Sequence, residues 1–461
     1  MSRSKKLYIL LGVLAVACVA TFAVMQMEDR KEQIRETGEI ILELPTESVQ
    51  SLSWDYNETS LTFHKDGVWL YDEDENFPVS EEKINELLEQ FQAFGAAFII
   101  EDVEDFGQYG LDDPICTISL STEGQDYEIK LGDYSKMDSQ RYLSIGDGNV
   151  YLVKHDPLDE FNATIRNLID HDEVPDFDQV TGISFSGAEN YSITYEEESA
   201  GTYREEDVYF ASQNGKNLPL DTNRVRDYLD YIGYLNLTDY VTYNATEEEL
   251  STYGLDDPEL TVAVNYAVAE DGQERSDAFV LHISRDPEEK TSSKEQEEEE
   301  ITAYARVGDS KIVYQISSAG YKHLMAASYD DLRHLEVPPA NFEDVRQVDI
   351  SLEGSSYTLT SEKDGKEWVW SYQGEELEID SFRSALNALT ADEFTTEKPS
   401  GKEEISLTLS LDREDAGEIQ IQLYRHDGEH CLAAVDGESV CLVKRADVVD
   451  LIEAIHAVVL E

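Results

Sequence analysis

Two identical six-residue strings place paired aspartates at equivalent points of the chain. Tyr-Gly-Leu-Asp-Asp-Pro occurs at Tyr109–Pro114 and again at Tyr253–Pro258. The aspartate pairs are Asp112/Asp113 and Asp256/Asp257. They could bind calcium, but calcium takes about six to eight oxygens, and the spaced acidic residues of a calcium-binding loop are missing. The glycine suits a positive φ after a helix or turn, the leucine an apolar contact, and the proline a helix stop. We therefore predict a structural cap rather than a metal site.

A second group of side chains with metal-binding chemistry lies near the C-terminus. His426 and His430 flank an Asp-Gly-Glu string, and Cys431 follows directly. A zinc site needs further ligands, and none of known position accompanies these residues. Asp-Gly is a hairpin-turn dipeptide that would pair His426 with Glu429 and leave His430 one step along. The pattern favours a hairpin over a metal centre.

Ser80 and Lys83 have the spacing found in penicillin-interacting enzymes. That chemistry also needs Ser-Asp-Asn and Lys-Thr-Gly strings, and neither occurs here. The serine is explained as the N-cap of an amphipathic helix. Carboxylate pairs for glycoside hydrolysis carry no information, because 99 acidic residues offer many pairs. No phosphate-binding loop, nucleophile elbow or zinc-protease helix is present. The sequence predicts no catalytic, cofactor-binding or metal-ligating residue, and a protein that is not an enzyme.

Two of the four cysteines could form a disulfide. Cys18 lies in an apolar N-terminal run, and Cys116 is alone in a predicted strand. Cys431 and Cys441 flank an Asp-Gly hairpin turn and could bridge outside the cell. That turn would pair Cys431 with Leu442, one place off, and disulfide geometry tolerates little misplacement. A disulfide and two free thiols both stay open.

The elements that position these residues recur three times along the chain. Each copy opens with a proline and three strands, continues with an amphipathic helix, and ends with four strands and a closing helix. Runs of strands with isolated helices indicate an α+β fold of mainly antiparallel sheets, each with a helix packed on one face. We predict copies at residues 45–172 and 175–337. A degenerate third copy at 338–461 has Pro399-Ser-Gly401 in place of the six-residue motif.

The helices are predicted from apolar residues at helical spacing behind a polar N-cap. The caps are Ser80, Asp221 and Asp380. The buried stripes are Ile84, Leu87, Leu88 and Phe91; Val225, Tyr228, Leu229 and Ile232; and Phe382, Ala385, Leu386 and Leu389. The closing helices are predicted at Leu158–Leu168, Ala319–Ala327 and Val448–Val459.

The N-terminus has the pattern of a membrane anchor. Residues 7–25 are uncharged and would span about 28 Å as a helix, close to the ~30 Å bilayer core. Basic residues within 1–6 hold that tail in the cytoplasm and send the linker 26–44 and everything after it outward. A cleaved signal, cut after Ala15-Val16-Ala17 with or without lipidation of Cys18, is the alternative. Both place the body outside the cytoplasm. The uncleaved anchor, which we expect, holds it at the cell membrane as a single-pass protein.

The formal charge of −64, from 99 acidic and 35 basic residues, narrows the range of partners. Binding to a phosphate backbone is driven by lysine and arginine, so nucleic acid is excluded. Anionic lipid surfaces are excluded for the body by the same repulsion. The charge favours basic proteins or divalent cations, and it keeps an exposed protein soluble.

With the anchor, the duplicated motif and the hairpin-and-helix copy in view, the chain resembles the family called domain of unknown function 4340. The resemblance covers roughly Val49 to Val337, with Phe342–Glu461 as a further, degenerate copy. It implies a membrane-anchored extracytoplasmic partner of ABC transporter components of the multidrug or gliding type. It brings no catalytic residues with it.

Two hypotheses from different classes follow. The first is a non-catalytic, membrane-anchored accessory or scaffolding protein, a partner of an ABC-type export complex or of other envelope proteins. The second is a module that binds an envelope polymer through cations on its acidic surface. We expect the first.

Overall fold

The computed structural model of the protein describes residues 38–101, 103–199, 201–213, 215–270, 273–291, 300–365, 367–412 and 417–459. The predicted membrane span at 7–25 lies outside these residues. Within the described ranges, no helix combines the length and apolar character needed to cross a bilayer. The chain divides into two compact units, the first ending at His171 and the second beginning at Asp172.

The first unit contains one antiparallel sheet of nine strands. The strands are β1 Glu39–Leu42, β2 Val49–Tyr56, β3 Thr59–Asp66, β4 Val68–Tyr71, β5 Phe94–Ile100, β6 Cys116–Thr122, β7 Asp126–Ser135, β8 Gln140–Ser144 and β9 Val150–Val153. Their spatial order is β4-β3-β2-β6-β7-β8-β9-β5-β1. The helices are α1 Glu81–Glu89 and α2 Leu158–Phe161, with 3-10 turns at Thr46–Ser48, Phe106–Tyr109 and Ile165–Leu168.

The second unit contains two further sheets, each of nine antiparallel strands. The first of these has β10 Val180–Gly187, β11 Tyr191–Tyr195, β12 Tyr209–Gln213, β13 Lys216–Pro219, β14 Tyr240–Thr242, β15 Leu260–Glu270, β16 Gln273–Arg285, β17 Ala303–Val307 and β18 Val313–Ile316. Its helices are α3 Thr222–Gly233, α4 Glu247–Thr252, α5 Pro287–Thr291, α6 Ser318–Met325 and α7 Tyr329–Leu332. The order of its strands is β13-β12-β11-β10-β15-β16-β17-β18-β14.

The last sheet of the second unit has the same plan. Its strands are β19 Val345–Leu352, β20 Ser355–Asp364, β21 Glu367–Tyr372, β22 Glu375–Glu376, β23 Glu393–Phe394, β24 Glu403–Leu411, β25 Glu418–Arg425, β26 His430–Val435 and β27 Glu438–Lys444. Its helices are α8 Asp380–Asn387 and α9 Arg445–Val459, after a 3-10 turn at Phe342–Asp344. The strand order is β22-β21-β20-β19-β24-β25-β26-β27-β23.

The three sheets share one connectivity. In each, the first strand of the copy pairs with the strand after the helix and motif, as β2 with β6, β10 with β15 and β19 with β24. A meander of hairpins follows, and the strand just after the helix closes the far side, as β5 beside β9, β14 beside β18 and β23 beside β27. The predicted α+β fold of tandem antiparallel sheets is therefore confirmed. The copy boundaries stay predictions.

Each core lies on the helix-covered face of its sheet. In β2, Leu52 and Trp54 are buried. Ser51, the residue before Leu52, lies on the other face, where its hydroxyl is 2.6 Å from that of Ser121. The helices bury the predicted stripes, for example Ile84 of α1 and Val225 of α3, both fully buried. The period-two alternation thus fixes which face of each sheet packs against helices.

Three local predictions were wrong. The first closing helix is not continuous from Leu158 to Leu168, because Thr164 and Asn167 form a capping box that starts a separate 3-10 turn. Asp380 is the first residue of α8 rather than its cap, because Ile379 occupies the cap position and makes no side-chain bond. The sequence also predicts no strand between each amphipathic helix and the four strands that follow, whereas the structure has β5, β14 and β23 there. Of these, β14 and β23 are edge strands, and β5 lies between β9 and β1.

Candidate functional site

The repeated motif forms a cap in both copies where it occurs. Gly110 ends a 3-10 turn with φ +71°, and Gly254 follows α4 with φ +70°. The next residue in each string, Leu111 or Leu255, is buried. The aspartates that follow are all exposed. The predicted roles of the glycine and the leucine are confirmed.

The motif also packs tightly against a neighbouring strand. A Cβ atom on Gly132 of β7 would lie 2.2 Å from the carbonyl oxygen of Tyr109, so only glycine fits there. In the second copy, Ser284 of β16 takes this place and is fully buried. Its hydroxyl donates to the Gly254 carbonyl at 2.7 Å and accepts from the Glu259 amide at 3.0 Å. The motif therefore holds its turn against the neighbouring strand of the sheet.

Ser80 and Lys83 have structural roles. The Ser80 hydroxyl accepts from the Lys83 amide at 3.3 Å, which confirms the predicted N-cap. The Lys83 ammonium pairs with Glu86 at 2.8 Å, and this hydrogen bond raises the pKa of the lysine. A lysine held protonated in this way cannot serve as a general base near neutral pH.

His426 and His430 lie opposite each other across the turn between β25 and β26. The amides of His426 and Asp427 both donate to the His430 carbonyl, so the predicted pairing of His426 with Glu429 was wrong. The loop has one residue more than a two-residue turn. The imidazole of His430 donates to the carboxylates of Asp392, at 3.1 Å, and of Asp427, and these hydrogen bonds raise its pKa. In the described ranges, no group of three or more histidine, cysteine or acidic side chains is arranged to hold a metal ion.

The three cysteines in the described residues, Cys116, Cys431 and Cys441, are free thiols, and Cys18 lies outside those residues. Cys431 lies opposite Val443, and Cys441 lies opposite Ala433, because a bulge after Ala433 shifts the register. The predicted cross-strand partner of Cys431 was Leu442, and this prediction was therefore wrong by one position. Burial raises the pKa of both thiols to about 12, so both stay protonated at neutral pH. Of the two alternatives left open by the sequence, the structure has the free thiols.

The second unit contains an open groove of about 510 Å³, here called the tyrosine groove. It is lined by residues 174–180, by Tyr195 and Tyr209, and by residues at the C-terminal half of α3, among them Asp230 and Tyr234. Helix α3 buries its apolar stripe, and two of its exposed charged residues, Arg226 and Asp230, line this groove. Its size is within the range of small-ligand sites.

Tyr209 is the most enclosed polar group of the groove. Only 6% of its surface is exposed, and its ring meets that of Tyr195 edge-on, with 5.6 Å between ring centroids. Burial raises its pKa, and the nearby Arg226 partly opposes that effect. Its hydroxyl has no hydrogen-bond partner among the residues that the structure describes. Tyr234, at the end of α3, is 87% exposed.

The rim of the groove is mostly acidic. Asp176, Asp178, Asp230 and Arg226 line it, and none of them forms an ion pair with a described residue. The α3 helix ends at the groove, and the negative end of its dipole adds to these charges. The groove therefore presents aromatic rings with an excess of negative charge.

A second polar cluster in the same unit surrounds His334. Its Nε2 lies 2.8 Å from Asp207 Oδ1, and its Nδ1 lies 3.8 Å from both Asp221 and Glu336, too far for hydrogen bonds. Burial alone would lower the pKa of His334, but the contacts with Asp207 and Glu336 raise it to about 9. The protonated imidazole in turn holds the pKa of Glu336 at about 2.

This cluster fastens the segment that leads into the last sheet. Arg204 donates to the carbonyls of Pro338 and Pro339, at 3.1 and 3.4 Å. Beside it lies a cavity of about 190 Å³, where the Arg333 guanidinium sits 4.3 Å from the Phe394 ring centroid and the Cys441 side chain forms part of the wall. With a pKa near 9, His334 stays protonated at neutral pH and suits a structural ion pair better than acid–base catalysis. The Cys441 thiol is protonated as well and is therefore a poor nucleophile.

Neither the tyrosine groove nor the polar cluster around His334 is evident from the sequence. The lining of the groove comes from the stretch after Pro175, from two strands and from a helix, and no short motif joins them. His334 and Asp207 are 127 positions apart. The available signals, closely spaced aspartates beside a phenylalanine and a high tyrosine content, do not indicate which residues meet.

Tandem antiparallel sheets with helices on one face define an α+β repeat protein. The model of the family described as domain of unknown function (DUF4340) matches residues 69–212 and 211–408, and the chain belongs to this family. The matches run from β4 into β12 and from β12 into β24, so each spans parts of two successive sheets. The matched region begins later than the expected Val49 and extends beyond Val337. Comparison with curated proteins and with solved structures gives no match.

Proposed function

We propose that the protein is a non-catalytic accessory or scaffolding protein held at the outer face of the cell membrane by the predicted span at 7–25. Its sheets would lie outside the cytoplasm and bind envelope proteins, among them components of an ABC-type export complex. The export partner is suggested by the family resemblance, and the outward orientation by the basic N-terminal tail.

The observation that carries this proposal is that the side chains whose types could take part in catalysis stabilise the fold instead. Ser80 caps a helix, His430 is ion-paired and Cys431 is a buried, protonated thiol. The tyrosine groove is open and unfilled by the protein's own side chains, as a docking surface requires. These features favour binding over turnover.

Crosslinking in intact membranes tests the proposal. The full chain with a C-terminal tag should recover transporter subunits or other envelope proteins after crosslinking and denaturing purification. A version with residues 7–25 replaced by a cleavable export signal is the control, because it keeps the body outside the cytoplasm but releases it. Recovery of no envelope protein above the level of that control would contradict the proposal.

The alternative, cation-dependent binding of an envelope polymer, is favoured by the formal charge of −64. It predicts that calcium raises the melting temperature, because a bound ion stabilises the folded state by mass action. Thermal unfolding followed during a calcium titration, with magnesium as the comparison ion, tests it. A melting temperature that does not respond beyond the effect of ionic strength would rule this alternative out.

A further inference from the structure

We infer that the tyrosine groove binds a proline-rich, positively charged peptide segment of a partner protein in an extended polyproline conformation. The inference gives the chemistry of the partner and so rests on the proposed accessory function. It is carried by the Tyr209 hydroxyl, which has no partner among the described residues, by the aromatic walls and by the acidic rim.

The Tyr209 hydroxyl is open to a ligand in the groove. The hydroxyl of a largely buried tyrosine ordinarily has a hydrogen-bond partner. Here 94% of the residue is buried and the side chain lines the groove, and the hydroxyl bonds to no described residue. The oxygen is not among the fully buried polar atoms, so it is reached through the groove. A ligand that offers a hydrogen-bond acceptor at this point would satisfy it. A peptide carbonyl is such an acceptor.

The walls of the groove suit a polyproline helix. In this conformation the backbone has no internal hydrogen bonds, so its carbonyls are free to accept while the proline rings contact aromatic surfaces. Tyr195 and Tyr234 supply exposed ring surface, and Phe177 and Pro175 also line the groove. Because the polyproline conformation is already populated before binding, little chain entropy is lost.

The rim selects for positive charge. Asp176, Asp178 and Asp230 are free of ion pairs with described residues, and only Arg226 opposes them. The C-terminal end of α3 adds partial negative charge at the same place. An arginine or lysine between the prolines would meet these carboxylates, and the formal charge of −64 would attract it from a distance.

A neutral oligosaccharide is the competing occupant, since it could stack on tyrosine rings and bond to carboxylates. It would leave the excess negative charge at the rim uncompensated, and its binding would depend little on ionic strength. The peptide, in contrast, should bind more weakly as salt rises. This difference separates the two ligands.

The probe is a fluorescein-labelled peptide of three Arg-Pro-Pro repeats, followed by fluorescence anisotropy with the full chain in detergent. We expect saturable binding that weakens with salt, and about tenfold weaker binding of the Gln-Pro-Pro peptide of the same length. A tetramer of N-acetylglucosamine serves as the oligosaccharide probe and as a competitor. Binding of the sugar with no binding of either peptide would overturn the inference, as would no binding of any probe.

Two pairs of variants locate the binding. The double variant Asp178→Asn/Asp230→Asn should bind the Arg-Pro-Pro peptide about tenfold more weakly. Glu173→Gln/Asp227→Asn removes the same charge from exposed positions outside the lining and should leave binding within about twofold. Equal losses in both double variants would show non-specific attraction and overturn the site.

Tyrosine variants test the aromatic and hydroxyl contributions. Tyr209→Phe keeps the ring and should weaken binding about fivefold through the lost hydrogen bond. Tyr234→Ala should weaken it further, whereas Tyr231→Ala, on the same helix but outside the lining, should not. Unchanged melting temperatures show that each variant is folded. Full binding by Tyr209→Phe and Tyr234→Ala would contradict the proposed contacts.

The membrane crosslinking experiment, repeated with Asp178→Asn/Asp230→Asn, separates this inference from the proposed function. If the same envelope proteins are recovered with the variant as with the unchanged chain, the accessory function stands and the groove is not its docking site. If the peptide binds the groove and yet no envelope protein is recovered, the groove chemistry stands and the accessory function fails.

Discussion

At the scale of single residues, Arg141 shows how much one buried charge contributes. Its Nε lies 2.6 and 2.7 Å from the two oxygens of Asp156, and its Nη1 donates to the Gly132 carbonyl at 2.8 Å. Only 9% of the side chain is exposed. Removing one partner of a buried pair costs about 3–5 kcal/mol, because the remaining charge loses its partner. Arg141→Met should lower the free energy of unfolding of the first unit by that amount in urea.

The control for this prediction is an exposed pair. Arg275 lies 3.0 Å from Asp277, and 63% of the arginine side chain is exposed. Exposed pairs contribute about 0–1 kcal/mol. Arg275→Met should therefore change unfolding of the second unit little. If Arg141→Met costs no more than Arg275→Met, the buried pair is not a stabilising contact.

His334 makes the stability of the second unit depend on pH. Its pKa is raised from 6.5 to about 9 by Asp207 and Glu336. A group with a raised pKa stabilises the fold fully below its unfolded value and loses that contribution as pH rises through the folded one. The charged groups around it are Asp207, Asp221, Glu336 and Arg204. Stability of the second unit should fall between pH 6.5 and about 9.

Chemical unfolding across this range measures the effect. His334→Gln should be less stable than the unchanged chain at pH 6 and should show a flatter profile between pH 6.5 and 9. His64→Gln removes an exposed histidine of the first unit, paired with Asp72, and should leave the second unit's profile unchanged. If the stability of His334→Gln falls between pH 6.5 and 9 as much as that of the unchanged chain, another group is responsible for the pH dependence.

Residue roles that depend on near neighbours in the chain could be predicted, and those that depend on distant ones could not. The positive φ of Gly110 and the cap at Ser80 follow from residue type and the residues just beside them. His430 contacts Asp392, 38 positions earlier, only because of the strand order. Its strand, β26, pairs with β27, and β27 pairs with β23, which begins just after Asp392. The unpaired hydroxyl of Tyr209 likewise depends on the packing of separate elements.

At the scale of elements, long periodic segments were predicted well and short edge strands were missed. The helices α1 and α3 bury the expected stripes. Strand β23, Glu393–Phe394, has two residues, too few to show alternation. Such a strand forms because the last hairpin offers an open edge, and the sequence of the strand itself does not reveal that.

The cap of α1 gives a prediction at this scale. The Ser80 hydroxyl accepts from the Lys83 amide, an otherwise unpaired donor of the first helical turn. Ser80→Ala should lower the free energy of unfolding of the first unit by about 1 kcal/mol, measured in urea. Ser80→Asp restores an acceptor and should recover most of the loss.

Ser384 provides the matched control for the loss of a hydroxyl. It lies exposed inside α8, where alanine is the better helix former. Ser384→Ala should leave the second unit unchanged or slightly more stable. A destabilisation by Ser80→Ala no greater than that by Ser384→Ala would mean that the cap does not contribute.

At the scale of the whole molecule, the repeated sequence motif predicts repeated topology. The motif occurs in two copies only, yet the last sheet has the same strand connectivity without it. At its place the third sheet has Gly401, where a Cβ atom would lie 1.7 Å from the Arg425 carbonyl oxygen. A close approach of loop to strand therefore persists where the string is lost, and the alternation of strands rather than the motif determines the sheet.

The formal charge of −64 acts on every part of this architecture at once and gives the last prediction. Like charges repel more strongly in the compact state than in the expanded chain, so repulsion lowers stability at low salt. The screening length falls from about 30 Å at 0.01 M to about 8 Å at 0.15 M. The melting temperature should rise steeply over this range of sodium chloride and then level off, as followed by calorimetry. A rise that instead continues in proportion to salt up to molar concentrations would indicate general exclusion of salt from the protein surface rather than charge screening.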